Sequence, residues 1–437
     1  MALDPKQATA AQRAASDINR VFRRVPRTGV IFVMGEARKL GFCYGHPDWA
    51  NLGQGAPETG DIAGANPGLT SIELDEASRE YGPVMGLPDL RAAVAELYNK
   101  RYRVGMASQY TAENVAISSG GRSGLTRLVA AMGSIHLGHM LPDYTAYEEL
   151  LESFRAFVPV PILVHAEDRF RLAPRELRRN IVGMGLGALL FSNPCNPTGT
   201  VVRGAEMATW VDISRDAGCA LIIDEFYGHY LYGEAARAYT SVSATSHVED
   251  VNQDMVVVVD GLTKNWRYPG WRLSWTLGPK TVIERVASAG SFLDGGPPHP
   301  LQRAAIPLVD KARADTEARA IQATFGAKRD LMIKHITSEA IGMQLASPPE
   351  GAFYCFADLS KLPPPLNEGM SFFRRALEHK VICVPGEFFD VNPGHRRSHI
   401  PSRLRSWVRL SFGPNIDTVR LGMQRFEKMV AEAKTKG

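Results

Sequence analysis

Cysteine is scarce in this chain. Cys43, Cys195, Cys219, Cys355 and Cys383 are odd in number, far apart and contain no CxxC pair. That argues against a disulfide framework and suits free thiols in a reducing compartment. A long apolar run is missing too. The stretch before Pro26 has no apolar signal core. The uncharged segment from Ile181 to Val202 holds Asn193, Pro194, Asn196 and Pro197, which a membrane-spanning helix does not tolerate. Charge of one sign is also lacking: 50 Lys plus Arg against 46 Asp plus Glu leaves +4. That balance gives no argument for a nucleic-acid or membrane partner. His136 and His139, and His395 and His399, form close pairs without HExxH or a Cys/His cluster, so no metal site is expected. The expectation is a soluble, cytoplasmic protein. Its 437 residues, 45% hydrophobic and 22% charged, suit a globular chain of two to three domains.

What is there is an alternation of short apolar runs and helical stretches. Residues 7–25 read as a polar-to-amphipathic arm. Leu90, Ala93, Val94 and Leu97 fall at i, i+3, i+4 and i+7 and predict a helix, entered through Gly86-Leu87-Pro88-Asp89. Val115–Ile117, Ala188–Phe191, Ala220–Ile223 and Met255–Val259 are apolar on both faces, which predicts buried parallel strands with crossover helices. Ile321, Phe325, Met332 and Ile336 then mark one face of a long helix. After Pro348 the pattern becomes mixed. The fold class expected is α/β: a large domain with a mostly parallel sheet flanked by helices, plus a smaller α+β domain. The boundaries are 1–50 for the arm and part of the small domain, 51–314 for the large domain and 315–437 for the small one.

In such sheets ligands collect at the carboxyl ends of the strands, so the residues after each run matter most. After the first run comes Ser118-Ser119-Gly120-Gly121-Arg122-Ser123-Gly124, either a plain glycine turn or a phosphate site on a helix N-terminus. After the second comes Asn193-Pro194-Cys195-Asn196-Pro197-Thr198-Gly199, a loop stiff enough to aim an amide, with Cys195 as a packing residue. After the third comes Asp224-Glu225-Phe226-Tyr227. A carboxylate at a buried strand end is either a helix cap or in need of a cation. After the fourth come Thr263-Lys264-Asn265 and Pro269-Gly270-Trp271-Arg272, either a solvated lysine or a lysine and an arginine that meet an anionic cofactor.

In this order the four segments resemble the fold type I pyridoxal-phosphate enzymes, specifically the class I/II aminotransferases of the aspartate aminotransferase superfamily. The resemblance runs over roughly residues 48–415. It implies pyridoxal 5'-phosphate as cofactor and a two-domain homodimer with the site between domains and subunits. Lys264 matches the lysine that holds the cofactor aldehyde as a Schiff base and then moves the Cα proton. Asp224 matches the carboxylate that keeps the pyridine nitrogen protonated. Asn196 and Tyr227 match the contacts to the ring oxygen, and Tyr144 the aromatic that stacks on the ring. Gly120, Gly121 and Arg122 match the amides that seat the phosphate, Thr263 and Arg272 its hydroxyl and guanidinium, and Tyr81 the tyrosine that reaches it from the other subunit. Arg409 matches the arginine that binds the substrate α-carboxylate, a role its planar fork suits, and Gly55 the turn lining the same pocket. One departure stands out: many relatives carry a serine three residues before the lysine, and here that residue is Gly261.

The resemblance implies an aminotransferase acting on an α-amino acid and a 2-oxo acid. No arginine lies between Ser288 and Gln302, where dicarboxylate-specific relatives often place one, and this favours neutral or aromatic substrates. The alternative keeps the cofactor and changes the reaction: elimination, replacement or ring formation, for example on S-adenosylmethionine. A non-catalytic ligand sensor on this fold would need a DNA-binding domain, for which the N-terminal arm has no helix-turn-helix pattern. The run from His395 to Arg405, rich in arginine, reads either as a solvated loop or as a lid that attracts anionic substrates.

Overall fold

A computed structural model of the chain describes residues 21–22, 25, 27, 29–154 and 156–436. The arm expected over residues 7–25 lies almost wholly outside them. The centre of the fold is a seven-stranded sheet built from Val115–Ser118 (β1), His136–Leu141 (β2), Val158–Leu163 (β3), Leu186–Ser192 (β4), Ala220–Asp224 (β5), Val256–Gly261 (β6) and Ser274–Leu277 (β7). Their order is β1-β7-β6-β5-β4-β2-β3. Only β7 runs antiparallel to its neighbours, and β2 to β6 pair in parallel. The four runs named from sequence are β1, β4, β5 and β6. Every residue of β1 and β6 is buried, as a sheet covered on both faces requires.

Strands β2 and β3 carry His136, His139, Pro159 and Pro161, and so escape a search for apolar runs. Strand β3 is the sheet's edge, where proline's missing donor costs least. Helix α1 (Gly29–Lys39) precedes the sheet. The helix expected around Leu90 spans Pro88–Tyr102, with Leu90, Val94 and Leu97 buried. Helix α2 (Gly121–Ala130) follows β1 directly. The long helix α3 (Lys311–Ile336) is capped by Asp310, which accepts from the amides of Ala312 and Arg313. Ile321, Phe325, Met332 and Ile336 are all fully buried on it.

Beyond α3 lies an antiparallel sheet of Gln344–Leu345 (β8), Tyr354–Asp358 (β9), Val384–Pro385 (β10) and Trp407–Ser411 (β11), in the order β10-β11-β9-β8. Ala50–Asn51 pairs in parallel with Val381–Ile382, so the start of the described chain lies against its C-terminal third. Among the described residues, no helix is long and apolar enough to cross a membrane.

Candidate active site

The carboxyl ends of β4, β5 and β6 point the same way because these strands are parallel. The loops after them, the start of α2, the turn at residues 54–56 and strand β11 enclose a cavity of about 370 Å³. Its walls include Gly55, Gly121, Arg122, Tyr144, Asn196, Asp224, Tyr227, Thr263, Lys264, Arg272 and Arg409. Eleven of the thirteen residues singled out in the sequence thus meet around one space. Gly120 lies just behind the wall. Tyr81 does not reach the cavity and is fully exposed.

Asp224 ends β5 and is 6% exposed. Tyr147 donates its hydroxyl to Oδ2 at 3.1 Å, and the Phe226 amide approaches Oδ1 at 3.5 Å. Asp224 has no ion-pair partner among the described residues. Burial therefore raises its pKa to about 6, against the lowering effect of Tyr147, Phe226 and Lys264. Lys264 follows β6 and donates Nζ to the Gly55 carbonyl. Burial brings its pKa down to about 7, and the neighbouring charges of Arg272, Arg409 and Arg122 act in the same direction.

Asn193 and Asn196 shape the loop after β4. The Asn193 amide pairs with both backbone groups of Val202 (2.9 and 2.8 Å), which closes the loop. Asn196 donates its backbone N–H to Ser192 Oγ at 3.1 Å and accepts Arg409 Nη1 on Oδ1 at 2.9 Å. Arg409 is 1% exposed on β11 and sends Nη2 to the Gly53 carbonyl at 2.6 Å, while its buried Nε has no partner. Its guanidinium lies over the rings of Tyr354 (4.3 Å) and Phe389 (4.9 Å). Tyr144 accepts Arg122 Nη2 at 3.1 Å on its hydroxyl.

At the start of α2, Gly120 has φ 89, a conformation glycine adopts without strain. A side chain there would run into the Arg272 guanidinium. Arg272 itself has φ 53 and is steadied by one bond from Nη1 to the Pro269 carbonyl, at 3.1 Å. At Gly261, a Cβ would come within 2.5 Å of Ser274 Cα and 2.6 Å of the Leu273 carbonyl oxygen. The close pairing of β6 with β7 therefore leaves no room for the serine common at this position.

Residues 47–426 match the family described as aminotransferase class I and II. The chain belongs to that family. It is 27% identical to the aspartate/prephenate aminotransferase of Thermus thermophilus over 82% of this chain and 86% of the relative. It is 28% identical to the valine–pyruvate aminotransferase of Mycobacterium tuberculosis over 85% of this chain and 89% of the relative. Among solved structures, the Thermus thermophilus aspartate aminotransferase with maleate superposes with a TM-score of 0.74 at 25% identity, covering 94% of this chain and 98% of that one. The protein is an aminotransferase that uses pyridoxal 5'-phosphate, as the family does.

The residues present fit that cofactor. Thr263 Oγ1 is buried without a hydrogen-bond partner. It lines the cavity together with Arg272, and the amide-bearing turn at Gly120 abuts the Arg272 guanidinium, a donor set suited to a phosphate. Asp224 is a buried carboxylate short of a cation, which a protonated pyridine nitrogen supplies.

Several residues in or behind the cavity wall gave no sequence signal. Tyr147, three residues beyond Tyr144, is fully buried behind the wall. Tyr354, in an apolar strand, has its hydroxyl 2.7 Å from that of Tyr227. Asp143 is fully enclosed, accepts Ser192 Oγ at 2.5 Å and the Tyr144 amide at 2.7 Å, and has a pKa raised to about 8 by burial. Val30 and Ile31 of α1 complete the wall. The basic run is largely solvated and anchored at two points. Arg397 pairs with Asp390 at 2.8 Å and Arg403 donates to the Leu141 carbonyl at 2.6 Å, which ties the loop down at the end of β2. Only His395, Arg396, His399 and Arg405 of its basic residues are exposed.

Proposed function

We propose that Lys264, Asp224 and Arg409 divide the work of transamination between them. The observation that carries this reading is their convergence, with Arg272, on one cavity of about 370 Å³. When bound, pyridoxal phosphate supplies an aldehyde for the amino group and a ring that draws electrons from the substrate Cα. Lys264 holds that aldehyde between turnovers. Once displaced, its Nζ takes the Cα proton, and a pKa of about 7 makes the neutral amine available for this at physiological pH. Asp224 keeps the proton on the ring nitrogen, and a cation beside it restores its ionisation. Asn196 Nδ2 and the Tyr227 hydroxyl would contact the ring oxygen, and Tyr144 would stack on the ring. The amides of Gly120, Gly121 and Arg122, with Thr263 and Arg272, hold the phosphate. Arg409 takes the substrate α-carboxylate in the pocket lined by Gly55. The substrates are an α-amino acid and a 2-oxo acid.

Val30, Ile31, Leu125 and Tyr144 give the cavity an apolar wall, which supports neutral or aromatic side chains. A second reading, an acidic side chain, is favoured by Arg122. It lines the cavity and has no carboxylate partner among the described residues, and the Thermus relative is named for aspartate and prephenate. The active unit is a homodimer, supported by Tyr81, whose full exposure leaves it free to reach a second copy. Five free cysteines suit a cytoplasmic setting. The division into a large domain to residue 314 and a small one after it is supported by the separation of the seven-stranded from the four-stranded sheet.

The test is to mix the loaded enzyme with a panel of amino acids. One equivalent of 2-oxo acid should appear for each equivalent of cofactor aminated, with neutral and aromatic members fastest. Oxo acid with ammonia, or loss of a side-chain leaving group, would assign elimination or replacement instead.

A further inference from the structure

Tyr354 opens β9 opposite Ser411, and Arg409 sits opposite Phe356 on the same pair of strands. Side chains two apart share a face, so Tyr354 and Arg409 are diagonal neighbours. The guanidinium rests 4.3 Å from the centre of the Tyr354 ring. At its other end, the Tyr354 hydroxyl lies 2.7 Å from the hydroxyl of Tyr227. The same hydroxyl is 2.5 Å from where a Cβ on Gly55 would stand, so only glycine leaves room for it. The Gly55 carbonyl in turn accepts Lys264 Nζ. One side chain thus touches the partners of three separate functions.

We propose that Tyr354 is a positioning residue: its hydroxyl donates to Tyr227, and its ring seats the Arg409 guanidinium. This rests on the assignment of Tyr227 to the cofactor ring oxygen and of Arg409 to the α-carboxylate. Two neutral phenols 2.7 Å apart share one hydrogen, and the direction of that bond decides what Tyr227 can do. If Tyr227 donates, its only hydrogen is used up. If Tyr354 donates, the Tyr227 hydrogen is free to turn into the cavity. The cation on the Tyr354 ring decides between them. Burial raises both phenols and Arg409 lowers both, but its guanidinium lies directly over the Tyr354 ring; Tyr354 stays at about 12 while Tyr227 is raised well above the usual value. The more acidic phenol is the better donor, and that is Tyr354. The substrate's carboxylate anchor and the cofactor's hydroxyl contact are therefore set by the same ring.

The experiment uses the cofactor-loaded enzyme without substrate and follows the pH at which the bound cofactor's absorption changes. A donor to the ring oxygen favours its ionised form, so weakening that donor raises the midpoint. Tyr227→Phe should raise it by about a unit. Tyr354→Phe should move it the same way by a smaller amount. The double variant should match Tyr227→Phe alone, because Tyr354 acts only through Tyr227. Binding of 2-methylalanine, which has no α-proton, reads the other arm. Tyr354→Phe keeps the ring and should leave its affinity unchanged, while Tyr354→Leu should weaken it roughly 3- to 10-fold. An unmoved midpoint in Tyr354→Phe, or a shift that adds in full to that of Tyr227→Phe, would overturn the proposal. Equal loss of affinity in the Phe and Leu variants would do the same. No shift in Tyr227→Phe itself would instead remove the cofactor assignment on which the proposal stands.

Discussion

Lys264 shares its cavity with three arginines and one nearby carboxylate. An ammonium there is disfavoured by burial and by like charge, and the pKa falls to about 7. Only the neutral amine adds to an aldehyde. Capture of the cofactor by cofactor-free protein should therefore speed up as pH rises and level off above a midpoint near 7. A stopped-flow absorbance series over pH checks this, and borohydride reduction with peptide mapping should place the label on Lys264. A flat profile would mean that capture is limited elsewhere. Asp224 has the opposite problem, a buried anion awaiting a cation. Asp224→Ala should keep some cofactor yet slow Cα proton removal by about 10²–10³-fold, as losing one placed electrostatic partner does. Single-turnover absorbance measures it. Both residues were legible because each follows an apolar strand within a compact motif. Tyr147 and Tyr354 were not. Tyr147 meets Asp224 across 77 residues, and Tyr354 meets Tyr227 across 127. Nothing local distinguishes a tyrosine that points into a cavity from one that fills a core.

Among the elements, the β6–β7 pair constrains the phosphate end of the cavity. Gly261 faces Ser274 across that pair, and the two nearest atoms a new side chain would meet are backbone ones. Gly261→Ser should consequently lower both the melting temperature and the affinity for the cofactor, although it restores the residue common in relatives. Thermal unfolding and cofactor titration together test this. A gain in affinity would show that the strands can part. The loop bearing the basic run is a second case. Composition suggested a surface feature, but Asp390, the partner of Arg397, has a side chain only 9% exposed. Removing the arginine leaves that carboxylate with the Ser402 hydroxyl but no cation. Arg397→Ala should lower stability and slow neutral and acidic substrates alike, whereas Arg396→Ala should affect acidic ones alone and less at high salt. Initial rates at two ionic strengths separate the two. Strands β4, β5 and β6 were legible as unbroken apolar runs. Strands β2 and β3 were hidden by histidine and proline, which their places in the sheet accommodate.

At the scale of the whole molecule, Tyr81 stands fully exposed away from the cavity it was expected to serve. The proposed second copy would reconcile the two. Mixing a Tyr81→Phe chain with a Lys264→Ala chain should restore activity above either alone, because a shared site puts both lesions together in one cavity and leaves the other intact. Activity of the exchanged hybrid is the measurement, and no recovery would mean that each chain builds its own site. The closure of the cavity also has a consequence for synthesis. The bond from Arg409 to the Gly53 carbonyl joins residues 356 apart. A ribosome making this chain releases the Gly-rich turn, the lysine and the aspartate long before the strand that bears Arg409. Contacts of such long range form late. A nascent chain thus carries Lys264 and Asp224 while still lacking the strand that bears Arg409. The two ends of the cavity are thus written into stretches of chain that leave the ribosome at different times.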